Sequence, residues 1–287
     1  MILSGSASQS VAIALGEHID ETVAPVRYER FPDGELMTSV DVDAPLSING
    51  RAIVVASTSS ARAHIEVLQL QDIAVEAGAD EIVTVIPYLG YARQEIAHHP
   101  GQPASARAIA GALSATTDRV ITVDPHEPLV ADYFEVPCTI TSAVSSLADA
   151  VPSDLEDPVF LAPDEGAKDL AVTVADTYGR GRADHLEKTR ISGDEVDISA
   201  AESNISGSEV IIIDDIVATG STIATAARML GQAEVGAVHV ACVHPLFVGS
   251  AYSRLKAAGV ESIVATDTIE RPVSTVSAAS AIADALE

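Results

Sequence analysis

Short runs of consecutive apolar residues recur along the chain, and segments with helical spacing lie between them. The runs that predict strands cover residues 1–3, 53–55, 82–86, 120–123, 159–162 and 210–213. Continuous apolar runs of this length suit strands that are buried on both faces of a sheet. Helices are predicted at residues 10–16, 105–115 and after residue 222. Alternating strands and helices predict an α/β fold with mainly parallel sheets.

An internal repeat divides the chain into two copies of one α/β unit. The apolar run at Ile53 recurs at Ile211, which is an offset of 158 residues (211 − 53). The same offset relates Gly78 to Gly236, Ala79 to Ala237, and Pro87 to Pro245. Self-similarity of this kind predicts two tandem domains. We place them at residues 1–141 and 142–287, with residues 138–141 as the crossover between the copies.

The stretch from residue 210 to residue 230 carries the most specific chemical signal. Asp214 and Asp215 follow its apolar run, and small residues from Thr219 to Thr222 precede the predicted helix. Backbone N–H groups and hydroxyls in such a loop can close around a phosphate at a helix N-terminus. Open α/β sheets bind ligands at this edge. We therefore predict a phosphorylated-sugar site, with an ordinary buried strand and acidic turn as the alternative.

The first copy differs where this chemistry is expected. Ala56 and Ser57 stand where the second copy has Asp214 and Asp215. The loop that follows Ala56 has lost both the acids and the glycine. We expect the first copy to have kept the fold and taken on another task.

Composition narrows the functional classes. The chain has 42 acidic residues against 16 Lys and Arg residues, a formal net charge of −26, which argues against a nucleic-acid partner. Lysine occurs only at positions 168, 188 and 256, and an acidic, lysine-poor surface predicts a halophilic protein. Two cysteines in apolar surroundings indicate buried thiols of a cytoplasmic protein. Neither a membrane span nor a secretory signal is predicted.

Two further segments in the first copy contain candidate binding residues. Residues 31–35 have turn chemistry, with Pro32 and an Asp33-Gly34 pair. Arg93 and Gln94 follow two tyrosines on a loop after a predicted strand, where an arginine can stack on a base or bind phosphate. The alternatives are a plain turn and a solvated arginine.

Three segments near predicted strand ends contain candidate catalytic or metal-binding residues. His126 could be a metal ligand, a base or a capping residue. Asp164 opens a predicted helix, where an ordinary N-cap is the alternative. Lys188 and Arg190 lie on a segment that reads as a mobile loop or a β-hairpin. A lysine retained in a lysine-poor chain suggests a need for charge, although a solvated pair would look the same.

Taken together, these segments resemble the ribose-phosphate pyrophosphokinases, and the resemblance covers nearly the whole chain in the same order. The form of residues 186–190 is similar to the archaeal branch. The resemblance implies two tandem type I phosphoribosyltransferase-like domains, each with a mainly parallel sheet flanked by helices. The sequence departs from many relatives at Ala218, where Asp is common, and at Pro125, where Leu is common.

The resemblance also implies residue roles. Asp33, Gly34 and Glu35 would contact the adenine of ATP, across a subunit interface, and Arg93 and Gln94 would hold ATP. His126 and Asp164 would serve Mg²⁺. Asp214 and Asp215 would face the ribose hydroxyls. Ribose 5-phosphate would also be bound by Arg190 and by the loop residues Ala218, Thr219, Gly220, Ser221 and Thr222.

The implied reaction transfers the diphosphoryl group of MgATP to the 1-hydroxyl of ribose 5-phosphate and releases AMP. Lys188 and Arg190 would stabilise the charge on the transferring group. The implied partners are ATP, ribose 5-phosphate and further copies of the chain. Two alternatives are a phosphoribosyltransferase, which would not need the repeated domain, and a non-catalytic regulatory homologue, which should have lost one of the two charged pairs.

Overall fold

The computed structural model describes residues 1–41, 46–192, 195–200 and 205–287, and for residues 188–192 and 195–200 it describes the backbone alone. The chain forms two compact units. The first contains Met1–Ala143, Asp267–Glu270 and Ser277–Glu287, and the second contains Val144–Thr266 and Arg271–Val276. The predicted boundary between residues 141 and 142 was drawn from chain order alone, and it stays a prediction.

The first unit is built on a five-stranded sheet with the order β1-β4-β5-β6-β7, in which all neighbours are parallel. A separate antiparallel pair, β2–β3, follows the first helix. Central strands are buried on both faces, as their apolar runs predict. The elements are β1 (Ile2–Ser4), α1 (Gln9–Ile19), β2 (Val26–Arg30), β3 (Leu36–Val40), β4 (Arg51–Val55), α2 (Ala61–Glu76), β5 (Glu81–Ile86), α3 (Ser105–Ser114), β6 (Arg119–Val123) and β7 (Cys138–Thr141).

The second unit has a seven-stranded sheet with the order β10-β9-β8-β11-β12-β13-β14. Its pairs are parallel except for the antiparallel hairpin β9–β10 at one edge. The elements are α4 (Leu147–Ala150), β8 (Val159–Ala162), α5 (Lys168–Tyr178), β9 (Arg182–Ser192), β10 (Glu195–Ala200), β11 (Val210–Ile216), α6 (Ser221–Gln232), β12 (Val238–His244), α7 (Ala251–Ala257), β13 (Val260–Thr266) and β14 (Ser274–Val276). The last helix, α8 (Ala279–Leu286), belongs to the first unit.

The two units share one internal topology, in agreement with the predicted repeat. Strands β8, β11, β12, β13 and β14 follow the order of β1, β4, β5, β6 and β7. Each unit also has a two-stranded hairpin between the first two of these strands along the chain. The β2–β3 hairpin forms a sheet of its own, whereas β9–β10 extends the second sheet next to β8. The predicted fold class is therefore confirmed.

The prediction of a crossover at residues 138–141 is wrong. These residues form β7, which pairs in parallel with β6 and closes one edge of the first sheet. The strand is short, and its threonines break the apolar run that marked the buried strands. Its edge position also explains why Cys138 is only half-buried, whereas Cys242 in β12 is fully buried as predicted.

No helix in the described parts of the chain is both long enough and apolar enough to cross a membrane.

Candidate active site

Three carboxylates gather at the carboxyl edge of the second sheet. Strands β8 and β11 are parallel neighbours, with Leu161 opposite Ile212. Because they run the same way, their carboxyl ends meet at one edge. Asp214 and Asp215 lie near the end of β11, and Asp164 follows β8. Asp214 and Asp215 are half-buried and Asp164 is exposed.

The charge state of Asp214 reflects this crowding. Burial and repulsion from the Asp215 carboxylate raise the pKa of Asp214 to about 8, and the charge of Asp164 acts in the same direction. The Asp215 N–H donates a hydrogen bond to Asp214 Oδ1 at 3.0 Å, which only partly offsets the rise. The edge therefore carries more negative charge than its own surroundings can stabilise.

Asp164 also caps the chain that follows it. Its Oδ1 accepts a hydrogen bond from the Ala167 N–H at 3.3 Å, at the start of a short 3-10 turn that leads into α5. The capping alternative is thus confirmed. The cap engages one carboxylate oxygen and leaves the exposed group able to take part in a ligand site.

The loop between β11 and α6 has the form that the sequence predicts for a phosphate site. The Val248 N–H donates to the Ala218 carbonyl at 2.9 Å and fixes the start of the loop. Gly220 adopts a left-handed conformation, with φ of 69°, and α6 begins at Ser221. A Cβ on Gly220 would also lie 3.3 Å from the Leu255 side chain. Among the described residues, the backbone N–H groups of Thr219, Gly220 and Thr222 have no hydrogen-bond partner.

An arginine that sequence reasoning missed supports this loop. Arg254 lies on α7, and its Nη1 donates to the Thr219 carbonyl oxygen at 2.7 Å and to Ser221 Oγ at 2.8 Å. A guanidinium 35 residues from Thr219 in sequence gives no local signal. The one available hint was its charge, since the chain has only 16 Lys and Arg residues.

In the first unit, Arg93 and Gln94 lie on a loop after β5 that is tied to the loop after β4. Thr58 Oγ1 accepts a hydrogen bond from the Gly90 N–H at 2.8 Å, and the Thr58 N–H donates to the Tyr88 carbonyl at 2.9 Å. Gln94 accepts a hydrogen bond from Ser105 Oγ at 2.7 Å, whereas the Arg93 side chain is exposed. The loop that lost its acids in the first copy therefore supports the neighbouring loop.

Residues 31–35 form the exposed tip of the β2–β3 hairpin. The Phe31 N–H donates to the Glu35 carbonyl at 2.8 Å, and Asp33 Oδ1 accepts from the Glu35 N–H at 3.1 Å. Gly34 takes a φ of 96°, which suits glycine. Asp33 and Glu35 are exposed, and the neighbouring Phe31 ring is 44% exposed. The predicted turn is confirmed, and its acids face solvent.

The other predicted catalytic or metal-binding residues are His126, Lys188 and Arg190. His126 is exposed just after β6. The backbone of Lys188 and Arg190 lies on β9, opposite Ile198 and Val196 of β10, which identifies the predicted segment as a hairpin. The side chains of Lys188 and Arg190 lie outside the described ones.

A family model described as the N-terminal domain of ribose phosphate pyrophosphokinase matches residues 1–116, and a phosphoribosyl transferase domain model matches residues 130–277. A ribose-phosphate pyrophosphokinase of Halobacterium salinarum is 53% identical over 287 residues, with full coverage of both chains. The chain belongs to the ribose-phosphate pyrophosphokinase family. A second member, from Methanopyrus kandleri, is 40% identical and covers 100% of this chain and 98% of its own.

A solved structure agrees with the family. The phosphoribosylpyrophosphate synthetase of Mycobacterium smegmatis matches with a TM-score of 0.81 at 25% identity, covering 100% of this chain and 97% of that one. The predicted family, fold and enzyme class are confirmed. The Halobacterium relative fits the halophilic character that the acidic composition predicts. The roles of individual residues stay predictions.

The pyrophosphokinase family implies Mg²⁺, and Asp164 at the edge of the second sheet is the candidate ligand there. In the described parts of the chain, no group of three or more His, Cys, Asp or Glu side chains could hold a metal by itself. Mg²⁺ is commonly held by one or two carboxylates together with substrate phosphates and waters. The Asp164 carboxylate is exposed, and a cation beside it would offset the negative charge that raises the pKa of Asp214. The residues therefore fit a Mg²⁺ ion that arrives with its nucleotide.

Proposed function

We propose that the chain transfers the diphosphoryl group of MgATP to the 1-hydroxyl of ribose 5-phosphate, giving 5-phosphoribosyl 1-diphosphate and AMP for nucleotide biosynthesis. The observation that carries the proposal lies at one sheet edge, where the half-buried Asp214 and Asp215 precede a loop. In the described part of the chain, the Thr219, Gly220 and Thr222 N–H groups of this loop have no partner. Carboxylates can accept hydrogen bonds from sugar hydroxyls, and amides at a helix start can bind phosphate. One ligand that carries both groups is a sugar phosphate.

The second unit would bind the sugar phosphate. Asp214 and Asp215 would accept hydrogen bonds from the ribose hydroxyls. Residues 218–222 would hold the 5-phosphate through backbone N–H groups and hydroxyls. A backbone contact at Ala218 needs no side chain, so the absence of the Asp found in many relatives leaves that contact possible. Arg190 would add a charge-assisted contact to the same ligand.

The first unit would bind the nucleotide. Arg93 is exposed on a loop that the Thr58 contacts hold in place, so its guanidinium is available for a base or a phosphate. Gln94 is fixed beside it by Ser105. Asp33, Gly34 and Glu35 would contact the adenine of ATP in a neighbouring copy. An exposed hairpin tip with an exposed Phe31 beside its acids supports such a contact.

The reaction is a direct displacement. The anomeric oxygen of ribose 5-phosphate attacks the β-phosphorus of ATP, a new P–O bond forms, and the bond to the AMP oxygen breaks. Because charge spreads over the phosphoryl oxygens, catalysis depends mainly on positioning and electrostatics. Lys188 and Arg190 would stabilise that charge. His126 and Asp164 would hold Mg²⁺, which when bound neutralises phosphate charge.

Two wider features belong to the same proposal. The protein would act in the cytoplasm, where ATP and ribose 5-phosphate are available. It would self-associate at least as a dimer, because residues 33–35 would complete the nucleotide site of a second copy.

The test of the function uses purified protein in high KCl with MgATP and ribose 5-phosphate, and it follows AMP together with 5-phosphoribosyl 1-diphosphate. Lys188→Ala should lower kcat by on the order of 10²–10³, the scale for losing one donor to transition-state charge. KM for both substrates should change much less, because an interaction made mainly in the transition state affects turnover rather than affinity.

Lys256→Ala provides the matched control. Its side chain is an exposed cation on α7, and its Nζ donates to the Glu261 carbonyl. This variant should keep nearly full turnover. No AMP from the wild-type protein would refute the proposed function. Wild-type turnover in Lys188→Ala would show that the catalytic cation lies elsewhere.

A further inference from the structure

The proposed phosphate loop has an electrostatic problem of its own. Its ligand would be a dianion, and two aspartates lie directly before the loop on β11. None of the residues 216–222 is basic, so the loop offers N–H and O–H dipoles but no positive charge. A Walker A loop solves the same problem with a lysine in its own sequence. Here a cation has to come from another part of the fold.

Arg254 is a cation that the second unit brings to this loop. It reaches from α7 with two hydrogen bonds from one nitrogen, at 2.7 Å to the Thr219 carbonyl and at 2.8 Å to Ser221 Oγ. The start of α7 also lies against the loop, since a Cβ on Gly220 would be 3.5 Å from the Ala251 carbonyl. Helix α7 therefore lies next to the loop at Gly220 and is bonded to it through the Arg254 guanidinium.

We propose that Arg254 is a positioning residue for the sugar phosphate, which orients the loop's donors toward the phosphate and supplies the positive charge that the loop lacks. The inference rests on the proposed function, because it assigns a role within the same loop. Arg254 acts through Thr219 and Ser221 and does not touch the reacting atoms.

The bond to Thr219 orients the loop backbone. A carbonyl oxygen that faced the phosphate would repel it. Arg254 holds the Thr219 carbonyl to itself, and in a planar trans peptide the N–H of the next residue points the opposite way. That residue is Gly220, whose N–H has no partner among the described residues. Arg254 thus removes an acceptor from the site and leaves a donor.

The bond to Ser221 orients a hydroxyl. Arginine can only donate hydrogen bonds, so Ser221 Oγ must accept from it. Thr219 Oγ1 also lies 3.3 Å from Ser221 Oγ, in position to donate to it. With its oxygen accepting, the Ser221 hydroxyl keeps its own hydrogen available for a phosphate oxygen. The charge on the guanidinium makes that hydrogen a stronger donor.

The experiment measures steady-state kinetics of Arg254→Met and Arg254→Lys in high KCl. Arg254→Met should raise KM for ribose 5-phosphate by about 10- to 100-fold, the range for losing charge-assisted hydrogen bonds. KM for ATP should stay within about 3-fold, and kcat at saturation should fall much less than KM rises. Arg254→Lys keeps the charge on a differently shaped donor, so its KM for ribose 5-phosphate should lie between those of the wild type and Arg254→Met.

Arg228→Met is the matched control, because it removes the same charge from an exposed residue on α6 that donates to Thr225 Oγ1 at 3.3 Å. It should leave KM for ribose 5-phosphate within about 2-fold of wild type, since an exposed contact of this kind contributes little. If Arg228→Met raises this KM as much as Arg254→Met does, a general loss of charge explains the result and the inference is overturned.

Thr222→Ala separates this inference from the proposed function. One outcome would overturn the role of Arg254 alone. In it, the wild-type protein is active and Thr222→Ala raises KM for ribose 5-phosphate, but Arg254→Met does not. Inactive wild-type protein would remove the proposed function itself. An equal rise in both KM values in Arg254→Met, with no recovery in Arg254→Lys, would mean that the residue only supports the fold.

Discussion

Asp214 is a carboxyl group whose protonation depends on what occupies the site. Its pKa is raised to about 8 by burial and by Asp215, so near neutral pH the ligand-free protein holds a proton there. The charged form would return when a cation or a sugar hydroxyl stabilises it. Ligand binding at this edge should therefore be linked to proton release.

The raised pKa of Asp214 also predicts how the ligand-free protein responds to pH. The unfolded chain releases this proton near the ordinary value of 3.8, while the folded state keeps it until about pH 8. Between these values the folded state binds more protons, so the free energy of unfolding falls as pH rises. Asp214→Asn removes the titrating group and should flatten this decline, by up to about 1 kcal/mol per pH unit.

The measurement is chemical or thermal unfolding in high KCl without ligands, from pH 5 to pH 8. Asp176→Asn makes the same side-chain replacement at an exposed acid on α5, and its unfolding free energy should decline with pH as in the wild type. Parallel curves for the wild type and Asp214→Asn would contradict the proposed protonation of Asp214.

At the residue scale, the sequence predicts the local part of the site and misses the distant part. Asp214, Asp215 and residues 219–222 are contiguous with a strand and a helix, so their spacing alone brings them together. Arg254 reaches Thr219 only because α7 packs beside the loop, and no local pattern encodes that contact. Charge scarcity was the available signal, and it pointed equally to every cation in the chain.

At the element scale, the two loops after β4 and β5 work as a pair. Gly90 passes so close to the neighbouring loop that a Cβ on it would overlap the Thr58 carbonyl oxygen. The conflict involves backbone rather than a flexible side chain, so the loop after β5 would have to move. That loop carries Arg93 and Gln94.

Gly90→Ala should therefore weaken nucleotide binding. We expect a loss of about 1–3 kcal/mol in the free energy of unfolding, as for other overpacked sites. KM for ATP should rise by about 10-fold or more, because a shift of about 1 Å in a binding group is costly. KM for ribose 5-phosphate should change less. Gly111→Ala in α3 meets only ordinary contact, with Glu135 Oε1 3.9 Å away, and serves as the control. An unchanged KM for ATP would show that this loop does not position ATP.

Among the elements, the buried strands are predictable from the apolar pattern, whereas an edge strand and the last helix are not. Buried strands such as β8 were predicted at their observed bounds, since their burial on both faces enforces a continuous apolar run. Strand β7 was missed because an edge strand needs no such run. The return of α8 to the first unit was also beyond the pattern. It depends on contacts such as the hydrogen bond from Thr141 Oγ1 to the Ala281 carbonyl at 2.9 Å, across 140 residues.

At the scale of the whole molecule, the acidic surface sets the conditions under which these predictions apply. A net charge of −26 repels itself at low ionic strength, and high salt screens that repulsion. Arg254 lies within hydrogen-bond distance of a fixed partner, 2.7 Å from the Thr219 carbonyl. Arg254 is half-buried and bonds its partner directly, and salt screens such contacts much less than it screens exposed charges, so this contact should persist in high salt.

In the proposal, each nucleotide site is shared between two copies of the chain. Asp33 and Glu35 are exposed on a hairpin tip, and in the proposal they serve the nucleotide site of a neighbour. Lys188 would act within its own copy. A Glu35→Ala protein and a Lys188→Ala protein should each be nearly inactive, because each lacks one part of every site.

Co-expression of these two variants should restore activity. A mixed dimer contains one site with both wild-type parts and one with neither. If mixing is random, half of the dimers are mixed, so about a quarter of all sites should be intact. The measurement compares kcat of the co-expressed protein with that of each variant alone, after size-exclusion chromatography in high KCl. Co-expression of Lys256→Ala with Lys188→Ala is the control. Every chain then has a wild-type hairpin and the Lys256→Ala chains have Lys188, so this mixture sets the upper bound for the restored kcat. If co-expression of Glu35→Ala with Lys188→Ala restores nothing while each variant assembles normally, residues 33–35 serve their own copy or none.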